Sequence, residues 1–172
     1  MTTYETMLKR RSCKNYKSDA VPQDLVEKVI TAGLYAASGR NRQAPIIVAV
    51  TDKETRDMLS RMNAEILGNT AIDPFYNAPV VLVVLSDRSA DTYLYDGSLT
   101  LGNMMLAAEE LGLGSCWVHR ARQMFETEEG KALLAKLGVK GDYEGIGNLI
   151  LGYSNEGEKV APPRKENRVY RI

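Results

Sequence analysis

Pro79-Val80-Val81-Leu82-Val83-Val84-Leu85 carries no polar side chain on either face. A strand with one wet face alternates apolar and polar residues, so a run apolar on both faces belongs between two covering layers. Pro45-Ile-Ile-Val-Ala-Val-Thr51 repeats the pattern upstream. Between the two, Asp52 can cap a helix that runs to about Leu67, and Gly68 can end it. Downstream of Leu85 lies the longest helical segment, Asp91 to Leu111, about 31 Å at 1.5 Å per residue. Its apolar members wrap most of the circumference, which predicts a central helix covered on more than one side. Gly112-Leu-Gly114 stops it, Ser115 to Val118 reads as a third strand, Glu126 to Leu137 as a helix, and Ile146 to Tyr153 as a fourth strand. Towards the N-terminus, Glu5 to Arg10 forms a short helix, and a second, with Pro22 in its first turn, ends near Ser38-Gly39. Strands and helices alternate without linker, repeat or low-complexity tract. One domain spanning residues 1–172 follows, an α/β or α+β sandwich of layers. The tail, 154–172, is polar, contains Pro162-Pro163 and closes on a β-like Arg168-Val-Tyr-Arg-Ile172; it is either loose or docked on something.

With 172 residues, 44% hydrophobic and 26% charged, the chain can bury a core without disulfides or structural metal. No apolar stretch approaches the ~18 residues of a membrane helix, and Met1 to Arg11 lacks the apolar centre of a signal peptide, so the cytoplasm is the expected location. Twenty-two basic and 22 acidic residues cancel, which argues against a surface built for nucleic acid or anionic membrane. Cys13 and Cys116 form no Cys-x-x-Cys pair, and a single histidine, His119, rules out a multi-histidine metal site. No metal site is expected. A Ser-His-Asp arrangement lacks its G-x-S-x-G elbow.

Neutrality hides a segregation of sign. Lys9, Arg10, Arg11, Lys14 and Lys17, then Arg40 and Arg42, then Lys159, Arg164, Lys165, Arg168 and Arg171 place twelve of the 22 basic groups in three short stretches whose only acid is Glu166. If folding gathers them, guanidinium forks and the Ser12 hydroxyl make a phosphate site; if not, they are separate solvated faces. Neither G-x-G-x-x-G after a strand nor G-x-x-x-x-G-K-[ST] occurs, so a nucleotide-like group would be held by side chains.

Arg10-Arg11-Ser12-Cys13-Lys14-Asn15-Tyr16 resembles the R-R-S-x-[RK]-x-[FY] opening of the nitroreductase family of FMN enzymes. Ala36-Ala-Ser-Gly-Arg-Asn-Arg-Gln43 is similar to that family's A-P-S-x-x-N-x-Q segment, and Ala107-Ala-Glu-Glu-Leu-Gly-Leu-Gly-Ser-Cys-Trp117 to its helix and following G-L-G-x-x-W strand. Gly152-Tyr153 with Pro162-Pro-Arg-Lys165 matches its ending. Four motifs in order cover the whole chain.

The resemblance implies an α+β three-layer sandwich, a mainly antiparallel central sheet flanked by helices, in an intertwined homodimer whose tail contacts the partner subunit. It implies that Arg10, Arg11, Ser12, Arg164 and Lys165 hold the FMN phosphate. Lys14 would lie by the N1/C2 carbonyl edge of the ring, where a cation stabilises the anionic reduced flavin. Ser38, Gly39, Arg40, Asn41 and Gln43 would approach the flavin from the partner, and the backbone of Trp117, Val118 and His119 would lie near N5 and O4. No catalytic side chain is implied, since the flavin N5 carries the chemistry, and the His119 imidazole is expected in the core. Asp96, Ser98 and Asn103 on the long helix would need partners across the two-fold interface. The implied activity is hydride transfer from NAD(P)H to a nitroaromatic, quinone or similar flat acceptor by a ping-pong course. A flavin-binding or flavin-delivery protein with little turnover is the alternative. The chain departs from the pattern at Ala37, where proline is usual, at Ala44-Pro45, and at Lys14, where arginine is common. Phe75 and Tyr76 either cover the flavin or anchor their loop, and Arg40 or Arg42 either meets a 2′-phosphate or faces solvent.

Overall fold

The computed structural model describes residues 1–172. Its centre is a sheet of four strands, β1 (Pro45–Val50), β2 (Val80–Asp87), β3 (Gly114–Val118) and β4 (Tyr143–Gly152), in the order β1-β2-β4-β3 with every neighbouring pair antiparallel. The helices are α1 (Thr3–Lys9), α2 (Gln23–Leu34), α3 (Lys53–Leu67), α4 (Tyr93–Glu110), α5 (Ala121–Glu126) and α6 (Glu128–Lys136). Alternation along β2 assigns the layers: Val81, Val83 and Leu85 pack with Leu59 and Met62 of α3 and Met124 and Phe125 of α5. Val80, Leu82 and Val84 pack with Val26 and Val29 of α2 and Leu101 and Met104 of α4. This is the expected three-layer α+β sandwich, and it explains a strand apolar on both sides.

A bulge keeps β4 in phase. Val84 pairs with Gly147 but Leu85 with Gly145, leaving Ile146 as the extra residue. Gly147 then lies under the Trp117 indole, whose Nε1 would be 2.3 Å from a Cβ added there, and Gly145 packs against the Ala121 carbonyl carbon, which would be 2.4 Å from a Cβ added at 145.

Caps agree with the sequence at α3, where Asp52 accepts from the Glu54 and Thr55 amides and Gly68 closes the helix at φ 77°. The helix expected over 126–137 is α6, and a short helix that the sequence reading did not include, α5, runs directly ahead of it. Thr127 ends α5 by donating its hydroxyl to Met124 O at 2.7 Å, and starts α6 by accepting from Gly130 N at 3.1 Å. α2 ends at Leu34, short of Ser38-Gly39, and β4 starts at Tyr143 rather than Ile146. The polar residues of α4 find partners inside their own chain rather than requiring a second one. Asp96 accepts from Gly39 N (3.0 Å) and Thr92 Oγ1 (2.9 Å), Ser98 donates to Leu94 O, and Asn103 donates to Ala32 O.

No helix is long and apolar enough to cross a membrane. Beyond the single bridge at Ser154 the tail has no regular structure, and residues 157–172 are exposed throughout.

Candidate active site

The Arg10–Tyr16 segment lies along the outer edge of β3. Ser12 bridges Ser115 in parallel, Cys13 N donates to Ser115 O at 3.0 Å, and Tyr16 pairs with Ser154. Burial, aided by the neighbouring Cys13 and Cys116 thiols, pushes the Tyr16 phenol far above its usual range; its hydroxyl donates to Cys13 O at 2.8 Å and pins the turn. Asn155 N donates to Asn15 O, Glu156 accepts from Lys14 N at 3.2 Å, and Lys159 Nζ donates to Ser12 O at 2.9 Å. Both chain ends thus meet beside β3, around a cavity of about 410 Å³ lined by Lys9, Arg11, Ser12, Ser154, Glu156 and Lys159 among others.

Arg10 and Arg11 are half-buried, and each has a buried nitrogen without a partner: Nη1 of Arg10 and Nε of Arg11. Arg11 Nη1 donates to Arg10 O at 2.5 Å. A buried guanidinium nitrogen without an acceptor is costly, and the chemistry that removes the cost is an anion with several oxygens. Guanidinium forks beside a serine hydroxyl suit a phosphomonoester, so the donor set fits FMN. Arg164 and Lys165 stand apart. They line an exposed hollow with Asn167, Arg168 and Arg171, and Arg164 donates to its own Pro162 O. Within the chain the tail cation that reaches the segment is Lys159, a member of the basic tail cluster but not one of the residues expected at the phosphate.

Lys14 is exposed, and its Nζ lies 5.6 Å from the centre of the Tyr76 ring. Phe75 and Tyr76 divide the roles left open for them: Phe75 is fully buried and anchors the loop, whereas Tyr76 is 37% exposed beside Lys14.

The Ser38–Gln43 loop lies over the start of α4. Gly39 N is held by Asp96, Gln43 N donates to Ser38 Oγ at 3.1 Å, Gln43 Nε2 donates to Asn41 Oδ1, and Arg42 donates to Ser89 O. Arg40, Asn41 and Gln43 all adopt left-handed backbone, with φ of 52°, 54° and 51°. Non-glycine residues there are strained, and such strain concentrates at ligand sites. Gly39 has no room for a Cβ, which would stand 2.2 Å from Thr92 Oγ1. Gly39→Ala is expected to force Thr92 off Asp96 and cost about 1–3 kcal/mol, read by urea unfolding.

Val118 ends β3 and His119 follows it, and their carbonyls are fixed from the core. Asn63 and Asn148, both fully buried, donate to His119 O at 2.8 and 3.3 Å, and Asn148 also donates to Val118 O. Arg120 then turns the chain at φ 77° and donates to Asn63 Oδ1. The His119 side chain is exposed, which corrects the expected core position: the strand stops at Val118 and the left-handed turn carries residue 119 outward. Trp117 lies half-buried over Gly147, so its ring serves the core.

Comparison with known proteins finds the Nitroreductase family profile over residues 7–72 and 69–153. The NADPH-flavin oxidoreductase of Vibrio harveyi is 27% identical over 93% of this chain and 69% of its own. The crystal structure of a nitroreductase with bound FMN from Bacteroides fragilis superposes with a TM-score of 0.89 at 25% identity, over 100% of this chain and 99% of that one. An FMN-dependent nitroreductase from Clostridium difficile gives a TM-score of 0.80 at 28% identity over 96% of each chain.

Proposed function

The chain belongs to the nitroreductase family, and from that footing we propose that it is an FMN-dependent oxidoreductase taking electrons from NAD(P)H and delivering them to a nitroaromatic, quinone or similar flat acceptor. The observation that carries the reading is the pair of half-buried arginines beside Ser12 whose inward nitrogens have no acceptor in the chain.

When bound, FMN would supply two-electron redox chemistry between a nicotinamide donor and the acceptor, in a ping-pong course. Arg10, Arg11 and Ser12 would hold its phosphate by charge-assisted hydrogen bonds, and Arg164 and Lys165, which stand apart within one chain, would add charge only where the tail of a second copy reaches that group. Lys14 presents its ammonium to a flavin carbonyl edge. The Ser38–Gln43 loop offers the Asn41 and Gln43 amides, and the Trp117–His119 backbone supplies the flat support whose carbonyls Asn63 and Asn148 immobilise. No side chain needs to act as acid, base or nucleophile. The protein's contribution is shape and fixed charge, which set stacking distance and orientation.

A homodimer completes the arrangement. Tyr4 (70% exposed), Met7 and Leu8 of α1 and Tyr95 (71%) and Leu99 (50%) of α4 leave apolar side chains in water that a second copy would cover. Burying them in a two-fold interface brings the Ser38–Gln43 loop of one copy towards the phosphate segment of the other. The exposed tail, with Val169, Tyr170 and Ile172 uncovered, then lies on the neighbour.

The purified chain is expected to absorb at about 450 nm, the colour of a bound oxidised flavin. Excess NADH or NADPH without oxygen bleaches it, and menadione sustains turnover. A sample that stays colourless with added FMN overturns the cofactor assignment. A yellow protein that nicotinamide does not bleach is a flavin carrier instead.

A further inference from the structure

The loop ahead of β2 is tied more tightly than a connection requires. The Asp73 carboxylate accepts from Phe75 N (2.9 Å), Asn77 N (2.6 Å), Ser60 Oγ and Arg56 Nη2. Arg56, itself buried, donates from Nε to Ala78 O at 3.0 Å, and its guanidinium lies 5.8 Å from the Phe75 ring centre. The turn is therefore fastened at both ends and from below. Inside it, Tyr76 and Asn77 adopt left-handed backbone, φ 52° and 58°. Neither is glycine, and such a conformation persists only where its surroundings over-determine it. Its result is to turn an aromatic ring outward, over Lys14.

Lys14 has no other restraint at its tip. No carboxylate lies within ion-pair distance of its Nζ, and its backbone is held through Glu156, so the aromatic face is the one partner the side chain has. A lysine stem with four rotatable bonds otherwise spreads its charge through solvent.

We propose that Tyr76 is a positioning residue for Lys14: the ring, held out by the Asp73–Arg56 lock, braces the ammonium on one side and directs its charge towards the flavin edge. The proposal rests on the FMN reading for its consequence and on the chain alone for its contact. Tyr76 acts through Lys14, not on the cofactor, and the phenol hydroxyl takes no part.

Five full-length proteins test this: wild type, Tyr76→Leu, Tyr76→Phe, Lys14→Met and the double variant Lys14→Met/Tyr76→Leu. Without FMN, reductive methylation of Lys14 is followed by mass spectrometry. Tyr76→Leu is expected to raise its rate about two- to fivefold, the range of an exposed cation–π contact, and Tyr76→Phe to leave it unchanged. With FMN bound, the midpoint potential of Tyr76→Leu falls by about 10–20 mV, the same two- to fivefold at ~30 mV per tenfold for a two-electron couple. Lys14→Met falls further, and the double variant matches Lys14→Met. An unchanged methylation rate in Tyr76→Leu overturns the brace whether or not FMN binds. Additive potential shifts overturn action through Lys14. Failure of the wild type to take up FMN is a different result, which removes the functional reading and leaves the methylation arm to decide the contact.

Discussion

Arg10→Ala is expected to yield a colourless protein that melts no lower than the unliganded wild type. In the free chain Arg10 Nη1 is buried without an acceptor, so the side chain is a burden on the fold rather than a support. Hydrogen bonds to a charged group contribute about 1.5–3 kcal/mol each, and a guanidinium presents two in parallel, so FMN affinity should fall about 100-fold or more. Flavin fluorescence titration reads the affinity and differential scanning fluorimetry the stability. Added FMN should raise the wild-type melting point, because a ligand that binds only the folded state stabilises it by mass action, and should not raise that of the variant. Arg10→Lys restores the charge without the fork and is expected to recover part of the affinity. A variant that stays yellow and melts several degrees lower would make Arg10 a structural residue and remove the main support for the phosphate site.

Arg56→Met carries the largest expected loss of stability. It leaves the Asp73 carboxylate without its cation and Ala78 O without its donor, in a region where Arg56 is only 7% exposed. Breaking a buried ion pair from one side costs about 3–5 kcal/mol, a fall in melting point of about 6–20 °C for a chain of this size. Removing the stranded charge while keeping an acceptor, as in Arg56→Met/Asp73→Asn, should recover part of it, since the amide oxygen can still accept from the Phe75 amide. Acid provides a second readout. Burial is the largest single influence on Asp73 and pushes its carboxyl up, but the hydrogen bonds from Arg56, Ser60, Asn77 and Phe75 together outweigh it, and the net displacement is downward. A depressed carboxyl contributes stability that is complete above its unfolded value, about 4, and is lost as pH falls through the folded value. Wild type should therefore lose stability with acid more steeply than Asp73→Asn. In Arg56→Met, with the guanidinium gone, the folded value moves back towards the unfolded one, so this acid-dependent loss should be smaller than in wild type.

Much of the architecture was legible because the signals were local. The apolar run at 80–85 could only be a covered strand, and Asp52 and Gly68 marked the ends of α3 by chemistry that acts within a turn. The short helix α5 was not legible, since its six residues carry too little apolar periodicity to mark a helix and one Thr127 hydroxyl serves both its end and the start of α6. Sheet order was equally hidden. β2 pairs with β4 across three helices and a whole strand, and nothing in either run names its neighbour.

In the site, the basic clusters were visible as composition but their directions were not. Asp96 looked like an interface residue because a carboxylate on an apolar helix demands a donor; one donor is Thr92, at the start of α4 itself, and the other, Gly39 N, comes from a loop that no periodicity links to α4. Lys159 was overshadowed by Arg164 and Lys165 because motif matching weighs residue type, whereas reach depends on where the tail leaves Ser154.

The backbone between Gly39 and Ala44 also constrains how this chain can diverge. Three side-chain-bearing residues held at positive φ within four positions narrow the alphabet tolerated there to glycine, asparagine, aspartate and unbranched chains. Valine, isoleucine or threonine at 40, 41 or 43 would be purged whatever its polarity, so drift in that stretch is steered by dihedral angle rather than by hydropathy.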